Sequence, residues 1–347
     1  MMSTRAIALF AIVTLGCSRS RSTSEPSTNA DAAAPAPKLA PVVATASFGE
    51  GGLKKTEHGS AILHAASIAK PIVATMVMQL VEEGLVSLDD DVSKYLPFPV
   101  KHPKHETAIT LRLLLRHRAA IRDDYTRLQP LRRDDGVQGL AQAGMSSWLG
   151  DWLGNESGWL EDAPDTTTKY SNVGFALAAL VVERVTKTMF VERCIAKVLA
   201  PLSMRATTWG EPKGTHELPH VRIADGGFEP KPQGMRMVYP SVDLWSSPVD
   251  LARFGRAILR GGEVDGVRIL RAESVATMLD ESLGWQARTL GTHRVVGHEG
   301  EDIGTSTGLF LDRTTQSGAV VLTNADAFAS GDATRAARVQ ALLESLL

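Results

Sequence analysis

The chain has 347 residues, 44% of them hydrophobic and 22% charged, with a formal net charge of −2. It is long and apolar enough to bury a sizeable core, and the balanced charge excludes a generally basic surface of the kind that holds nucleic acid.

Residues 1–17 carry Arg5, a short apolar run from Ala6 to Leu15, then Gly16 and Cys17. The run is too short to span a bilayer and has the shape of an export signal. Cys17 after a small residue resembles the lipobox of bacterial lipoproteins, although Thr14 stands where leucine is usual. The resemblance implies lipidation at Cys17 and an exported, periplasmic protein held to a membrane by that lipid. Residues 18–40 are rich in Ser, Thr, Ala and Pro and read as a flexible tether, so the folded domain is expected over 41–347. Cys194, among Val191, Ile195 and Val198, reads as a core cysteine, and no internal disulfide is possible if Cys17 is lipidated or removed.

Pro41–Phe48 alternates weakly as a strand and is ended by Gly49, Gly51 and Gly52. Ser67–Glu83 is a helix with Ile68, Ile72, Met76 and Leu80 on a core face, Pro71 in its first turn and Gly84 as its stop. Leu88–Leu96 turns through three aspartates as a capped, solvated loop, and Thr110–His117 is a second short helix. Arg118 to Pro164 reads as irregular; its tryptophans, Trp148, Trp152 and Trp159, are candidates to line a cleft. Val173–Thr188 and Val191–Ala200 are helical by period. Ser247-Pro248-Val249-Asp250 starts a helix that runs over Leu251–Leu259 to Gly261-Gly262. Leu309–Asp312 and Ala319–Leu322 are strands, and Thr334–Leu347 is a closing helix. A helical middle over roughly 85–225, before a strand-rich end, predicts two lobes with a site where they meet.

Three short motifs carry chemistry. Ser67-Ile68-Ala69-Lys70 places a hydroxyl and an amine one turn apart at a helix start, where free N–H groups favour developing negative charge. A serine needs a nearby base, and a partly desolvated lysine can serve. By itself S-x-x-K also arises by chance. Tyr170-Ser171-Asn172 is less expected by chance: Tyr170 supplies a phenol for proton relay and Asn172 an amide for a substrate carbonyl, the alternative being a polar helix cap. His298-Glu299-Gly300 precedes the strand run, where Gly300 would let a substrate backbone approach the strand edge. Gly304-Thr305-Ser306-Thr307-Gly308 imitates a nucleophile elbow, but no histidine follows His298 to complete that triad. His216-Glu217-Leu218-Pro219-His220 imitates a zinc helix, but Pro219 breaks it, so no metal is expected.

Taken together in order, S-I-A-K, Y-S-N and H-E-G resemble the serine β-lactamase family of class C type. Its relatives are D-alanyl-D-alanine carboxypeptidases, D-aminopeptidases and family VIII esterases. GLVSLDDDVSKYLP, KYSNVGFALAALVVERVT, APLSM, LWSSPVDLARFGRAIL and LGWQ extend the likeness over most of residues 60–347. The resemblance implies an α/β (α+β) fold: an antiparallel sheet with flanking helices built from both chain ends, plus a helical lobe. It implies that Ser67 forms an acyl-enzyme, that Lys70 and Tyr170 share the proton transfers, and that Asn172 contacts the substrate amide. His298 would stand where lactamases keep a lysine, with Glu299 and Gly300 completing that substrate-binding triad. The backbone N–H groups of Ser67 and Glu301 would form the oxyanion hole. No cofactor and no obligate protein partner are implied. Three departures stand out. Glu299 replaces a hydroxyl residue, and its carboxylate is expected to repel substrate carboxylates. His117-Arg118-Ala119-Ala120 replaces an H-T-S-G turn, and the short segment before Ser67 predicts a missing edge strand. The expected activity is hydrolysis of a small ester, amide or peptide; alternatives are a β-lactamase or carboxypeptidase proper, and a silent binding protein for cell-wall peptide.

Overall fold

The computed structural model describes residues 41–128, 144–224, 226–325 and 333–347, so the signal segment, Cys17 and the tether lie outside the described residues. Residues 38–347 form one compact unit. Its main sheet has six antiparallel strands. The first two are β1 (Val43–Gly49) and β2 (Gly52–Glu57), joined through the predicted glycine turn. The segment before Ser67 therefore supplies a complete hairpin, and the expected missing edge strand is present as β2. Its exposed, lysine-bearing sequence GLKKTE has no hydrophobic alternation to announce it, as suits a sheet edge.

After β3 (Leu63–Ala66) comes α1 (Ala69–Glu82), which begins two residues later than predicted because Ser67 and Ile68 form a turn ahead of it. Every residue of α1 from Ala69 to Leu80 is buried, not one face alone. A helix apolar around its whole circumference belongs inside a protein. It packs against α2 (Asn172–Thr186), whose first turn is capped by the Ser171 hydroxyl on Gly174 N–H at 3.0 Å. The segment predicted to be irregular contains helices at Tyr125–Leu128 and Met145–Leu153. Trp152 and Trp159 do not line a cleft: both are core, their indole N–H groups donating to Arg122 O at 3.2 Å and Leu153 O at 2.8 Å. Phe190–Cys194 continues as a π-helical turn over Ile195–Leu199, with Cys194 buried as expected.

Beyond the helical middle, β4 (Leu244–Ser246) pairs with β3, and α3 (Pro248–Leu259) opens with Ser247 as its cap. The rest of the sheet follows as β5 (Gln286–Leu290), β6 (His293–Asp302), β7 (Thr305–Asp312) and β8 (Ser317–Thr323), closed by α4 (Ala333–Leu346). Strand order is β5-β6-β7-β8-β1-β2. β7 is buried throughout because both sheet faces are covered. Leu309 and Leu311 face the large core shared with α1, α2 and α3, while Phe310 faces Val339 and Leu343 of α4. The ladder of β5 on β6 ends at Gln286 and Gly297, so His298–Asp302 runs on beyond β5. Among the described residues no helix is long and apolar enough to cross a membrane.

Candidate active site

Ala66, the last residue of β3, has φ of +50°, a left-handed conformation uncommon for a residue with a side chain. That kink turns the chain into Ser67 and α1, and Lys70 N–H closes the turn on Ser67 O at 3.0 Å. Lys70 is fully buried, and its Nζ lies 3.0 Å from Ser67 Oγ, 2.7 Å from Asn172 Oδ1 and 2.9 Å from Ser241 O. Burial, the largest influence, holds its pKa well below the ordinary lysine value. Arg236 acts in the same direction and Asp123 and Asp243 against it. A neutral amine has two N–H donors and one lone pair. Asn172 Oδ1 and Ser241 O can only accept, so in that form they would take both donors and leave the lone pair facing the Ser67 hydroxyl.

Tyr170 reaches Ser67 from the other side by a side-chain hydrogen bond, and its ring covers Lys70 Nζ with the centroid at 4.6 Å. Desolvation of its hydroxyl raises the phenol's pKa above the ordinary value, although the residue as a whole is 39% exposed at the cleft. The altered 117–120 turn supports this residue. His117 and Ala120 both adopt positive φ, at +56° and +55°. His117 Nδ1 accepts from Ser171 N–H at 3.0 Å, and its ring lies 4.4 Å from that of Tyr170. Burial, then Lys70, keeps His117 neutral by lowering its pKa well below the ordinary value. Asp123, which sequence reasoning passed over, accepts from Ser171 Oγ at 2.9 Å, Asn172 N–H at 2.6 Å and Val173 N–H at 3.1 Å. It fixes the start of α2 and with it Asn172.

The third motif lies on β6 beside the nucleophile turn. An added Cβ at Gly300 would sit 2.3 Å from Thr307 Oγ1, 2.5 Å from Ala65 O and 3.1 Å from Ser67 N. The close approach that glycine permits is thus that of the protein's own backbone, where a substrate's had been expected. Thr307 Oγ1 clamps the junction by bonding Ala65 O at 3.0 Å and Gly300 O at 3.2 Å. His298 donates from Nδ1 to Glu299 O at 2.5 Å, which assigns the neutral tautomer with Nε2 as acceptor. Burial, followed by Lys70, depresses its pKa to about 3. Glu299 lines the cleft as expected, but Arg288 Nη1 donates to it at 2.5 Å. Its charge is compensated, and the predicted repulsion of substrate carboxylates loses its cause.

Ser67, Tyr170, Asn172, His298, Glu299 and Glu301 all line one cleft of about 460 Å³, with Lys70 beneath its floor. Further walls were not legible in the motifs, among them Tyr125, whose hydroxyl accepts from Asn172 Nδ2 at 3.4 Å, Arg236, Arg288 and Asp302. His216–His220 forms no helix, in keeping with the reading of that segment.

Residues 42–344 match the family described as Beta-lactamase. Penicillin-binding protein 4 of Amycolatopsis lactamdurans is 28% identical over 231 residues, 64% of this chain and 58% of that protein. Protein flp of Staphylococcus aureus is 26% identical over 185 residues, 53% of this chain and 34% of that protein. The match therefore spans less than two thirds of either curated relative. Among solved structures, a D-stereospecific amidohydrolase from Streptomyces superposes with TM-score 0.67 at 23% identity, covering 82% of this chain and 89% of that one. The octameric penicillin-binding protein homologue from Pyrococcus abyssi does so with TM-score 0.67 at 20% identity, over 82% and 69%.

Proposed function

The chain belongs to the β-lactamase family, and on that premise we propose that it is an exported serine hydrolase acting on a small ester or amide through an acyl-enzyme. The reading is carried by one observation: Lys70 Nζ has two obligate acceptors, Asn172 Oδ1 and Ser241 O, and the Ser67 hydroxyl as its third partner. Lys70 takes the Ser67 proton as Oγ bonds to the substrate carbonyl carbon. Positioned bases of this kind contribute about 10²–10⁴ in rate. The backbone N–H groups of Ser67 and Glu301 receive the oxyanion, which carries full charge only in the tetrahedral state, so they favour that state over bound substrate. As the bond to the leaving group breaks, Tyr170 hands it a proton and is replenished from Lys70. Water then attacks the Ser67 ester with the same groups in reverse order, releasing the acid. Asn172 holds Lys70 from one side and presents its amide to the substrate from the other.

The signal-like N-terminus supports export, with lipid at Cys17 and a periplasmic, membrane-tethered domain. Radiolabelled palmitate incorporation that survives Cys17→Ala would remove the anchor from this reading. For the chemistry, intact-mass labelling of residues 41–347 with a fluorophosphonate and with a penicillin is decisive, with Ser67→Ala as control. Fluorophosphonate adduct lost in Ser67→Ala supports the activated serine. Stable penicillin adduct places the substrate nearer a cell-wall peptide, and failure of both reagents on folded protein moves the weight to a silent binding module.

A further inference from the structure

Behind the cleft, His64, Asp243 and Asp302 bring three ligand-type atoms within 4.8 Å of one another. The grouping imitates a metal site, but it already contains its cation. Arg236 N–H and Nε donate to Asp243 at 2.8 and 3.0 Å, and Nη2 donates to Asp243 Oδ1 at 2.5 Å and also to Asp302 Oδ2. The guanidinium therefore lies between the two carboxylates. Arg236 and Asp243 are both buried, and Arg236 and Asp302 border the cleft. None of the three belongs to the motifs that carry the family resemblance.

The places of the two carboxylates in the chain give the cluster its meaning. Asp243 follows Ser241, whose carbonyl receives Lys70, by two residues and directly precedes Leu244, which pairs with Ala66 beside the nucleophile. Asp302 ends β6 and directly follows Glu301. We propose that Arg236 is a positioning residue of the site: its guanidinium ties the Ser241–Asp243 turn that receives Lys70 to the end of the strand that carries the Glu301 N–H. The fork geometry of arginine suits the task, since a lysine ammonium cannot meet two carboxylates at fixed angles along a planar edge. The clamp has an electrical side as well. One cation balances the half-buried Asp302 and the buried Asp243, which acts on Lys70. The other titratable groups around that amine are Asp123, His117, Tyr170 and His298, contributed by the other elements that pack on it. Without Arg236, the uncompensated Asp243 favours the protonated amine.

The proposal rests on the serine-hydrolase reading for its catalytic half, and the test separates the two. Lys70 is followed by NMR of ¹³Cε-lysine-labelled protein, assigned with Lys70→Met, and Ser67 by the rate of fluorophosphonate labelling against pH. Arg236→Gln is expected to slow labelling about tenfold or more and to move the Lys70 midpoint, with the labelling limb, to higher pH. Arg236→Gln/Asp243→Asn restores the net charge and is expected to return the midpoint while labelling stays slow. Arg236→Lys keeps the charge and is expected to hold the wild-type midpoint with slower labelling. A folded Arg236→Gln or Arg236→Lys that labels at the wild-type rate overturns the clamp. So does an Arg236→Gln midpoint that does not move. If wild type fails to label but the midpoint moves as stated, the hydrolase reading fails and the electrostatic role of Arg236 stands. If Arg236→Gln does not fold, Arg236→Lys carries the decision.

Discussion

The carboxylate of Asp123 accepts a 2.6 Å hydrogen bond from the backbone N–H of Asn172, and Asn172 Oδ1 in turn accepts from Lys70 Nζ at 2.7 Å. A residue remote from every motif thereby sets the position of the amide that holds Lys70. Asp123→Ala leaves Asn172 N–H, Val173 N–H and the Ser171 hydroxyl without their acceptor, at a cost of about 2 kcal/mol. Urea unfolding is expected to show that loss, and fluorophosphonate labelling to slow about tenfold. Wild-type values for both would remove Asp123 from the site.

Lys70 has a folded pKa well below the ordinary lysine value near 10.4, so in the window between the two the unfolded chain binds the additional proton. Stability in that window therefore rises with pH, by about 1.4 kcal/mol per unit, and is lost as pH falls toward the folded value. Lys70→Met lacks the group. Unfolding curves stepped downward from about pH 10 should show wild type losing ground to the variant by about that amount per unit until the folded value is reached. Parallel stabilities would mean a charged Lys70 in the fold and would sink its role as base.

Glu299 and Arg288 compensate each other on the cleft wall. Glu299→Gln releases the guanidinium as a net cation facing the substrate, so acylation by carboxylate-bearing penicillin should rise about tenfold relative to a neutral ester. Arg288→Gln should do the opposite. Equal ratios in both variants would place the pair outside substrate contact.

Gly300→Ala pushes a methyl group against Ala65 O and Ser67 N. The strand bearing Glu301 must back away from the nucleophile, and loss of one oxyanion donor costs about 10²–10³. Labelling reduced at least a hundredfold, with an unchanged circular dichroism spectrum, is the expected outcome. Undiminished labelling would mean that this strand does not complete the oxyanion site.

What could be read in the sequence was what is local. Helix periods, the Ser247 cap, the glycine stops and the three motifs each occupy one short window, and the structure has the elements there. The meeting of Ser67, Lys70 and Asn172 was legible because they are recognisable residue types in family order. Illegible were the groups whose meaning depends on distant partners. Asp123 sits 49 residues from Asn172, and Arg236 is 66 from Asp302. Nothing in either window marks the residue as more than a surface charge. Trp152 and Trp159 stayed undecided in the sequence because a tryptophan among glycines fits a cleft wall as well as it fits a core, and only the packing decides. Glu299 misled because its countercharge sits on the neighbouring strand, a register that no pattern within β6 announces.

The sheet order β5-β6-β7-β8-β1-β2 puts the first strands of the domain and the last four into one structure, with β1 paired to β8 across nearly the whole domain sequence. A growing chain makes Ser67 and Lys70 early and Glu301 late. Ser241, which receives Lys70, and β4, which pairs with β3, are made before β6, so until β6 has been synthesised and docked the Ser67 turn lacks the strand that carries Glu301. Such long-range pairing is slow to form because loop closure must precede the reward of contact. On the reading of Ser67 as the nucleophile, the site is therefore completed late in synthesis, when β6 brings Glu301 beside a turn made more than 200 residues earlier.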